Sequence, residues 1–211
     1  MSAASPGRPG AGPSSGDLAL DARLDALCLD GWTIWDEFDR TVRDPGFHPF
    51  VAADYDAVRT ALLKLRAPGR RFLEWGSATG IITIMADLLG FDAYGIELDG
   101  SLVKTAREVA ARHGSGARFV EGSFVPTGYR WRPRDGDGRM GTIGEGPSGY
   151  LQLGLALEDF DFVFGYPWGG EEQVMQDVMR TYGRRDALLL LHDANAGVTA
   201  YRGGREVVPI P

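Results

Sequence analysis

The sequence predicts an α/β protein built on a doubly wound, mostly parallel sheet with helices on both faces. Two observations predict it. From Arg70 onward, five short apolar runs alternate with segments of helical period, the pattern of parallel strands joined by right-handed crossovers. The first run enters F-L-E-W-G-S-A-T-G (Phe72–Gly80), a tight small-residue turn that opens an apolar helix, and the second run closes on Ile96-Glu97. A strand, a small-residue turn and a helix, then a strand ending in an acid, mark the C-terminal edge of the sheet as the working edge.

Each element follows from its local pattern. Residues Met1 to Gly16 are Pro, Gly, Ser and Ala with almost no large apolar side chain, so a disordered tail is expected over 1–16. The rest, 17–211, reads as a single domain with a helical cap over 17–66. Asp17 can cap a helix that carries Leu18, Leu20, Leu24 and Leu27 and runs to about Cys28. Trp32, Trp35 and Phe38, at spacing three, suit a second short helix whose face is core or a wall over a ligand. Asp44-Pro45-Gly46 breaks that pattern, and Ala52 to Leu65 is a further helix. Strands are expected near 71–75, 92–97, 117–121, 160–165 and 187–192, with helices near 79–89, 100–113, 148–157 and 170–182. The helix after Gly80 is apolar nearly all round and should be the most buried, stopping at Gly90. Gly203-Gly204 between two short apolar runs predicts a terminal hairpin.

Composition narrows the class. A 211-residue chain with 44% hydrophobic and 24% charged residues is ordinary for a globular protein. Its net charge of −7 argues against unaided binding to bulk nucleic acid. The single Cys28 excludes an internal disulfide framework and a cysteine-based zinc site. No apolar run approaches the roughly 18 residues of a membrane span, and the N-terminus lacks a basic-then-apolar signal pattern. A cytoplasmic enzyme is the expectation.

The turn favours one kind of ligand. In Glu74-x-Gly76-x-Ala78-x-Gly80 an acid stands two residues before the first Gly, where it would repel a pyrophosphate and suit a cationic amine or sulfonium. Small residues at Gly76, Ser77, Ala78 and Gly80 let the backbone approach a ligand, and Glu97 can accept both hydroxyls of a ribose. Here the chain resembles the class I S-adenosylmethionine-dependent methyltransferases, whose first motif is E/D-x-G-x-G-x-G; Ala78 replaces the middle Gly. The resemblance covers roughly Arg70 to Asp193. It implies strand order 3-2-1-4-5, S-adenosyl-L-methionine as cofactor, and methyl transfer to an acceptor. It implies cofactor contacts from Glu74, Gly76, Ser77, Ala78, Gly80, Glu97 and Leu98, with Ser123 and Phe124 flanking the adenine. The family's terminal helix and longer antiparallel hairpin are compressed here.

Methyl transfer from a sulfonium needs alignment and exclusion of water more than a catalytic triad. The fourth strand ends in Tyr166-Pro167-Trp168-Gly169-Gly170-Glu171-Glu172, at the place of a motif that resembles N/D-P-P-Y/F in methyltransferases acting on planar amino nitrogens. Tyr166 and Trp168 depart from it and suit an aromatic wall beside the methyl group, with Glu171 or Glu172 binding or deprotonating an acceptor. Those acids equally suit a helix N-terminus as plain surface charges. His192, at the end of the fifth strand, is a candidate base, and His48 a weaker one. No spacing demands a metal, although Asp193 with Glu171 could make a site. Pro126 to Gly149 is an insertion with seven Gly and four Arg (Arg130, Arg132, Arg134, Arg139), expected to be a lid whose Arg residues meet an acidic group on the acceptor. Two alternatives stay open. One is a nicotinamide-dependent oxidoreductase, disfavoured by Glu74. The other is a partner subunit that binds cofactor without turnover. The acceptor, a small molecule or a protein, and the oligomeric state are not legible.

Overall fold

The structure is a computed structural model that describes residues 14–46, 48–130 and 141–207. One sheet of seven strands runs in the order β3-β2-β1-β4-β5-β6-β7. Its strands are β1 (Arg71–Trp75), β2 (Asp92–Glu97), β3 (Arg118–Glu121), β4 (Phe162–Gly165), β5 (Leu188–Asp193), β6 (Gly197–Arg202) and β7 (Arg205–Val207). The first five are parallel, in the order the resemblance implied; Trp75 lies beside Ile96 on one side and Gly165 on the other. β6 and β7 follow antiparallel, joined through Gly203-Gly204, both at positive φ (58° and 76°) as a tight two-residue hairpin requires.

The helices are α1 (Ser15–Phe38), α2 (Asp44–Gly46), α3 (Tyr55–Lys64), α4 (Ile81–Leu88), α5 (Gly100–Arg112), α6 (Gly149–Leu153) and α7 (Glu172–Tyr182). Four expectations need correction. Asp17 is not the N-cap of α1: Ser14 is, and Asp17 stands three residues in, reaching back to the Ser14 N–H in a capping box. Residues 15 and 16 are therefore helical rather than tail, while 1–13 lie outside the described residues. Nor does α1 stop near Cys28. It runs on through Trp32, Trp35 and Phe38 into a π-helical turn, Asp39–Arg43. Gly31 does not break it, because a Cβ there would stand 2.9 Å from both Ile81 and Tyr55; close packing uses the missing side chain. Lastly α6 is shorter than expected. Gly154, at φ 66°, ends it at the C-cap.

Strand alternation sorts the core into two layers. Phe72, Phe164 and Leu190 pack with Leu24, Leu27, Val58, Ile84 and Met85 from α1, α3 and α4. Leu73, Trp75, Val163, Leu189 and Leu191 point the other way and pack with Met175 and Val178 of α7. Glu74 and His192 share the parity of the first set and so face the α1–α3–α4 layer. α4 is buried from Ile81 through Ala86, as its composition predicted.

Candidate functional site

A cavity of about 360 Å³ opens at the C-terminal ends of β1, β2, β4 and β5, where the strand order turns back on itself. Its floor is Glu74 through Thr79, with Glu97, Leu98 and Asp99 on one side and Tyr166, Pro167 and Trp168 on the other. Pro49 to Ala53 of the N-terminal cap roof it, together with His48 and Tyr55. Four carboxylates line it (Glu74, Glu97, Asp99 and Asp193), and among the described residues no Lys or Arg does.

Glu74 is 4% exposed. Its Oε2 accepts the Thr83 N–H at 2.9 Å and the Thr83 hydroxyl, which ties the end of β1 to the first turn of α4. Burial pushes its carboxyl up to about 8; the Thr83 hydrogen bonds oppose the rise and the charge of Glu97 adds to it. Glu97 closes the turn from the other side. Its Oε2 accepts the Ala78 N–H at 2.8 Å and its Oε1 the Asp99 N–H at 2.9 Å. Burial raises its carboxyl as well, and those backbone donors pull it back.

The turn is left-handed at three points: Gly76 (φ 68°), Ala78 (φ 43°) and Gly80 (φ 80°). A Cβ on Gly80 would strike Phe119 at 2.7 Å and Ala106 at 2.8 Å, so the helix start needs Gly for space as well as for φ. Ala78, the position where the methyltransferase motif carries Gly, is the one non-Gly residue at positive φ among the described residues, and its N–H donates to Glu97. That conformation costs an L-residue roughly 1–2 kcal/mol, partly offset by the extra chain entropy of Gly. Ala78→Gly is therefore expected to stabilise the fold by about 0.5–1 kcal/mol, roughly 1–4 °C in Tm by thermal denaturation. An unchanged or lower Tm would show that no strain is stored there.

The cap wall is assembled by aromatic packing. Phe50 lies 5.1 Å from Trp35 and 5.2 Å from Phe38, and His48 lies 5.0 Å from Phe38. Trp35 and Phe38 thus back the wall without lining the cavity, and Trp32 packs on Tyr55 at 4.7 Å. His48 Nδ1 accepts the Phe50 N–H at 3.1 Å, which places the proton on Nε2, 3.1 Å from Asp99 Oδ2. Asp99 also caps α5. Burial works against its ionisation, yet hydrogen bonds from Ser101 and His48 hold its carboxyl below the usual range.

The structure brings Glu74, Gly76, Ser77, Ala78, Glu97, Leu98, Tyr166 and Trp168 to this cavity. Gly80 stands behind the turn as its helix-starting residue. Three expected residues are elsewhere. Ser123 is buried, its hydroxyl donating to the Gly144 carbonyl at 2.6 Å and accepting from the Val125 N–H at 3.1 Å. Phe124 stacks on Trp75 at 5.0 Å in the opposite core layer. Both are covered by the returning end of the insertion, which bridges to Ser123 through Ser148. His192 is 2% exposed and sits behind Tyr166, ring centroids 4.5 Å apart. Its Nε2 accepts the Asp54 N–H at 3.4 Å and its Nδ1 has no partner. Burial lowers its pKa, against the charges of Asp54 and Asp193.

The acids after β4 are also committed. Glu171 accepts the N–H groups of Thr142 (3.1 Å), Ile143 (3.0 Å) and Trp168 (2.9 Å). Glu172 accepts from the Tyr201 hydroxyl at 2.8 Å and from Gln176 at 2.9 Å. Neither carboxylate lines the cavity. Asp193 accepts the Asn195 and Ala196 N–H groups, and among the described residues no group of three or more His, Cys, Asp or Glu is placed to hold a metal ion. Of the insertion, Arg132, Arg134 and Arg139 lie outside the described residues, and Arg130 is exposed. The sequence reading missed Thr83, Tyr55, Phe50, Asp99 and Thr142. Asp99 alone carried a local signal, as an N-cap before Ser101.

No family model matches the chain. Over 102 residues it is 32% identical to the ribosomal protein L11 methyltransferase of Thermus thermophilus, a match covering 46% of this chain and 40% of that protein. The chain thus matches well under half the length of this curated relative. Among solved structures it is similar to an RNA methyltransferase from Salinibacter ruber in complex with S-adenosyl-L-homocysteine (TM-score 0.48, 20% identity, 68% of this chain and 78% of that one). It is also similar to an S-adenosylmethionine-dependent methyltransferase from Thiobacillus denitrificans in complex with S-adenosyl-L-homocysteine (TM-score 0.44, 17% identity, 75% and 54%). The sheet order and the left-handed Glu74–Gly80 turn define a Rossmann-like fold. By fold the chain is a Rossmann-like α/β domain. No helix among the described residues is long and apolar enough to cross a membrane.

Proposed function

We propose that this protein binds S-adenosyl-L-methionine and transfers its methyl group to an acceptor. The observation that carries the reading is the charge of the cavity: four carboxylates and no Lys or Arg among the described lining residues, at the topological switch point of the sheet. A buried carboxylate without a cation is unfavourable, and a ligand bearing an ammonium and a sulfonium supplies the missing charge. A dinucleotide would bring a pyrophosphate against Glu74 and Glu97 instead. Ser77 Oγ, buried at the turn without a partner, adds an unsatisfied donor to the same floor.

In this reading the cofactor supplies an activated methyl carbon. Glu74 holds the ammonium end. Glu97 accepts the ribose hydroxyls on lone pairs left free by its two backbone donors. Leu98, Leu102 and Phe50 supply apolar surface for the base, in place of Ser123 and Phe124. Tyr166, Pro167 and Trp168 form the wall along which the acceptor enters, and the cap segment Pro49–Ala53 keeps water out. His192 is screened by Tyr166 and takes no proton from the acceptor; it acts by receiving the Asp54 N–H and so fixing the start of α3 under the cap. The reacting atom of the acceptor is neutral when it attacks, with a lone pair to form the new bond to carbon as the sulfonium leaves as a thioether, since no described cation in the cavity would meet an anion. Amines and neutral nitrogen, oxygen or carbon nucleophiles of protein, RNA or small molecules all satisfy this.

Calorimetric titration tests the cofactor. S-Adenosylhomocysteine is expected to bind and NAD to give no heat of binding; the reverse would overturn the reading. Incubation with labelled cofactor and cell extract, followed by mass identification of the product, then names the acceptor.

A further inference from the structure

We propose that Glu171 is a positioning residue that locks two walls of the cavity into one unit. The proposal rests on the methyltransferase reading and concerns how its site is held. Glu171 is the N-cap residue of α7, yet its carboxylate makes no capping bond to its own helix. It turns outward to two other segments. Oε2 accepts from Thr142 and Trp168, and Oε1 accepts from Ile143. One carboxylate thereby joins the returning arm of the insertion to the strand end that carries Tyr166 and Trp168. The Thr142 hydroxyl repeats the link by donating to the Tyr166 carbonyl at 2.7 Å. The link reaches the cofactor floor as well: the Thr142 methyl stands 2.6 Å from where a Cβ on Gly76 would be. Farther along, the same arm is anchored at Ser123 by backbone bonds of 2.7 Å and 2.9 Å.

The physical consequence is pre-organisation. Gly141, Thr142 and Trp168 line the cavity, and on this proposal the Glu171 bonds keep them there. Free of Glu171, both segments would have to be ordered by the ligand, and the entropy lost in ordering them would be taken from its affinity. Cofactor affinity therefore depends on a side chain that does not itself line the cavity.

The experiment uses the full chain and S-adenosylhomocysteine as probe, with amide hydrogen exchange measured alongside. Glu171→Ala is expected to weaken binding by at least about tenfold, since ordering even one or two residues accounts for that much. The amides of Thr142, Ile143 and Trp168 should lose protection while those of β1 and β4 keep theirs. Glu171→Gln keeps one acceptor oxygen but turns an NH₂ toward a donor, so it should fall between. Wild-type affinity in Glu171→Ala would overturn the clamp. So would loss of protection throughout the sheet, which would mark a general structural role. Should Glu171→Ala not fold, Thr142→Val removes only the hydroxyl link to Tyr166 and is expected to weaken binding severalfold. Unchanged affinity in both Thr142→Val and Glu171→Gln would then sink the idea. A wild-type protein that binds no S-adenosylhomocysteine overturns the methyltransferase reading instead, and the clamp is then judged by protection of its three amides alone.

Discussion

Glu97→Ala is expected to weaken S-adenosylhomocysteine binding by about a hundredfold or more, with the sheet intact. Two charge-assisted hydrogen bonds from ribose hydroxyls contribute roughly 1.5–3 kcal/mol each, and each 1.4 kcal/mol is tenfold in affinity. A second effect adds to this. Glu97 also holds the Ala78 N–H and the Asp99 N–H, so its removal loosens the floor of the cavity and the start of α5 together. Glu97→Gln keeps one acceptor oxygen but sets an NH₂ against one of those two donors, and should lie between. Titration calorimetry measures the affinities, and circular dichroism checks that the variants are folded. Equal affinity for wild type and Glu97→Ala would show that another group holds the sugar.

The second large effect concerns protons on Glu74. Burial, with a smaller contribution from the nearby Glu97 carboxylate, holds its carboxyl at about 8. The groups facing it are Glu97, the Thr83 hydroxyl and the buried Tyr55 hydroxyl, whose own pKa is raised by burial first and by Glu74 second. None of these is a cation. Below about 8 the free protein therefore carries a proton on Glu74, and pairing with an ammonium expels it. By linkage, affinity for the amino-acid end of the cofactor should rise about tenfold per pH unit between pH 5.5 and 7.5, below the range near 7.7–8.0 where an α-amino group itself titrates. Calorimetry at pH 6.5 in buffers of different ionisation enthalpy should report close to one proton released per ligand bound. Glu74→Gln should abolish the release and flatten the profile. A flat wild-type profile would mean that Glu74 is already ionised or does not meet the ammonium. Stability has the opposite sign. A carboxyl whose folded pKa lies above its unfolded value favours the fold while protonated. Its contribution is full below about 4.5 and is lost as pH rises toward about 8, so the free protein should melt lower across that window.

Much of the fold was legible because it is written in short periods. The alternation of apolar strands with helix-period segments gave the parallel sheet, and the Glu74–Gly80 turn with Glu97 identified its working edge. Those signals are local: a left-handed turn needs small residues wherever it occurs, and an acid at a strand end is visible one residue at a time. The cap was less legible. Nothing near Cys28 announces that α1 continues, because its continuation depends on Gly31 fitting against Ile81 and Tyr55, which are distant in sequence. The roles of the two acids after β4 were illegible for the same reason. Glu171 and Glu172 look alike after β4, and only the arrival of the insertion arm on one side and of Tyr201 on the other decides what each one does.

The sequence by itself determined the sheet, its polarity and the edge at which the cavity opens, since each follows from backbone geometry or from the identity of a few adjacent side chains. Tertiary structure decided which of the candidate residues reach that site. Ser123, Phe124 and His192 are each one step from the working edge in the chain, yet they are closed off by the insertion arm, by Trp75 and by Tyr166. Phe50, Tyr55 and Thr142 come from segments distant in sequence and line it instead. The physical reason is that lining a cavity is a property of close packing between distant segments. Packing is specified by shape and volume summed over many residues, and no spacing within one segment encodes it.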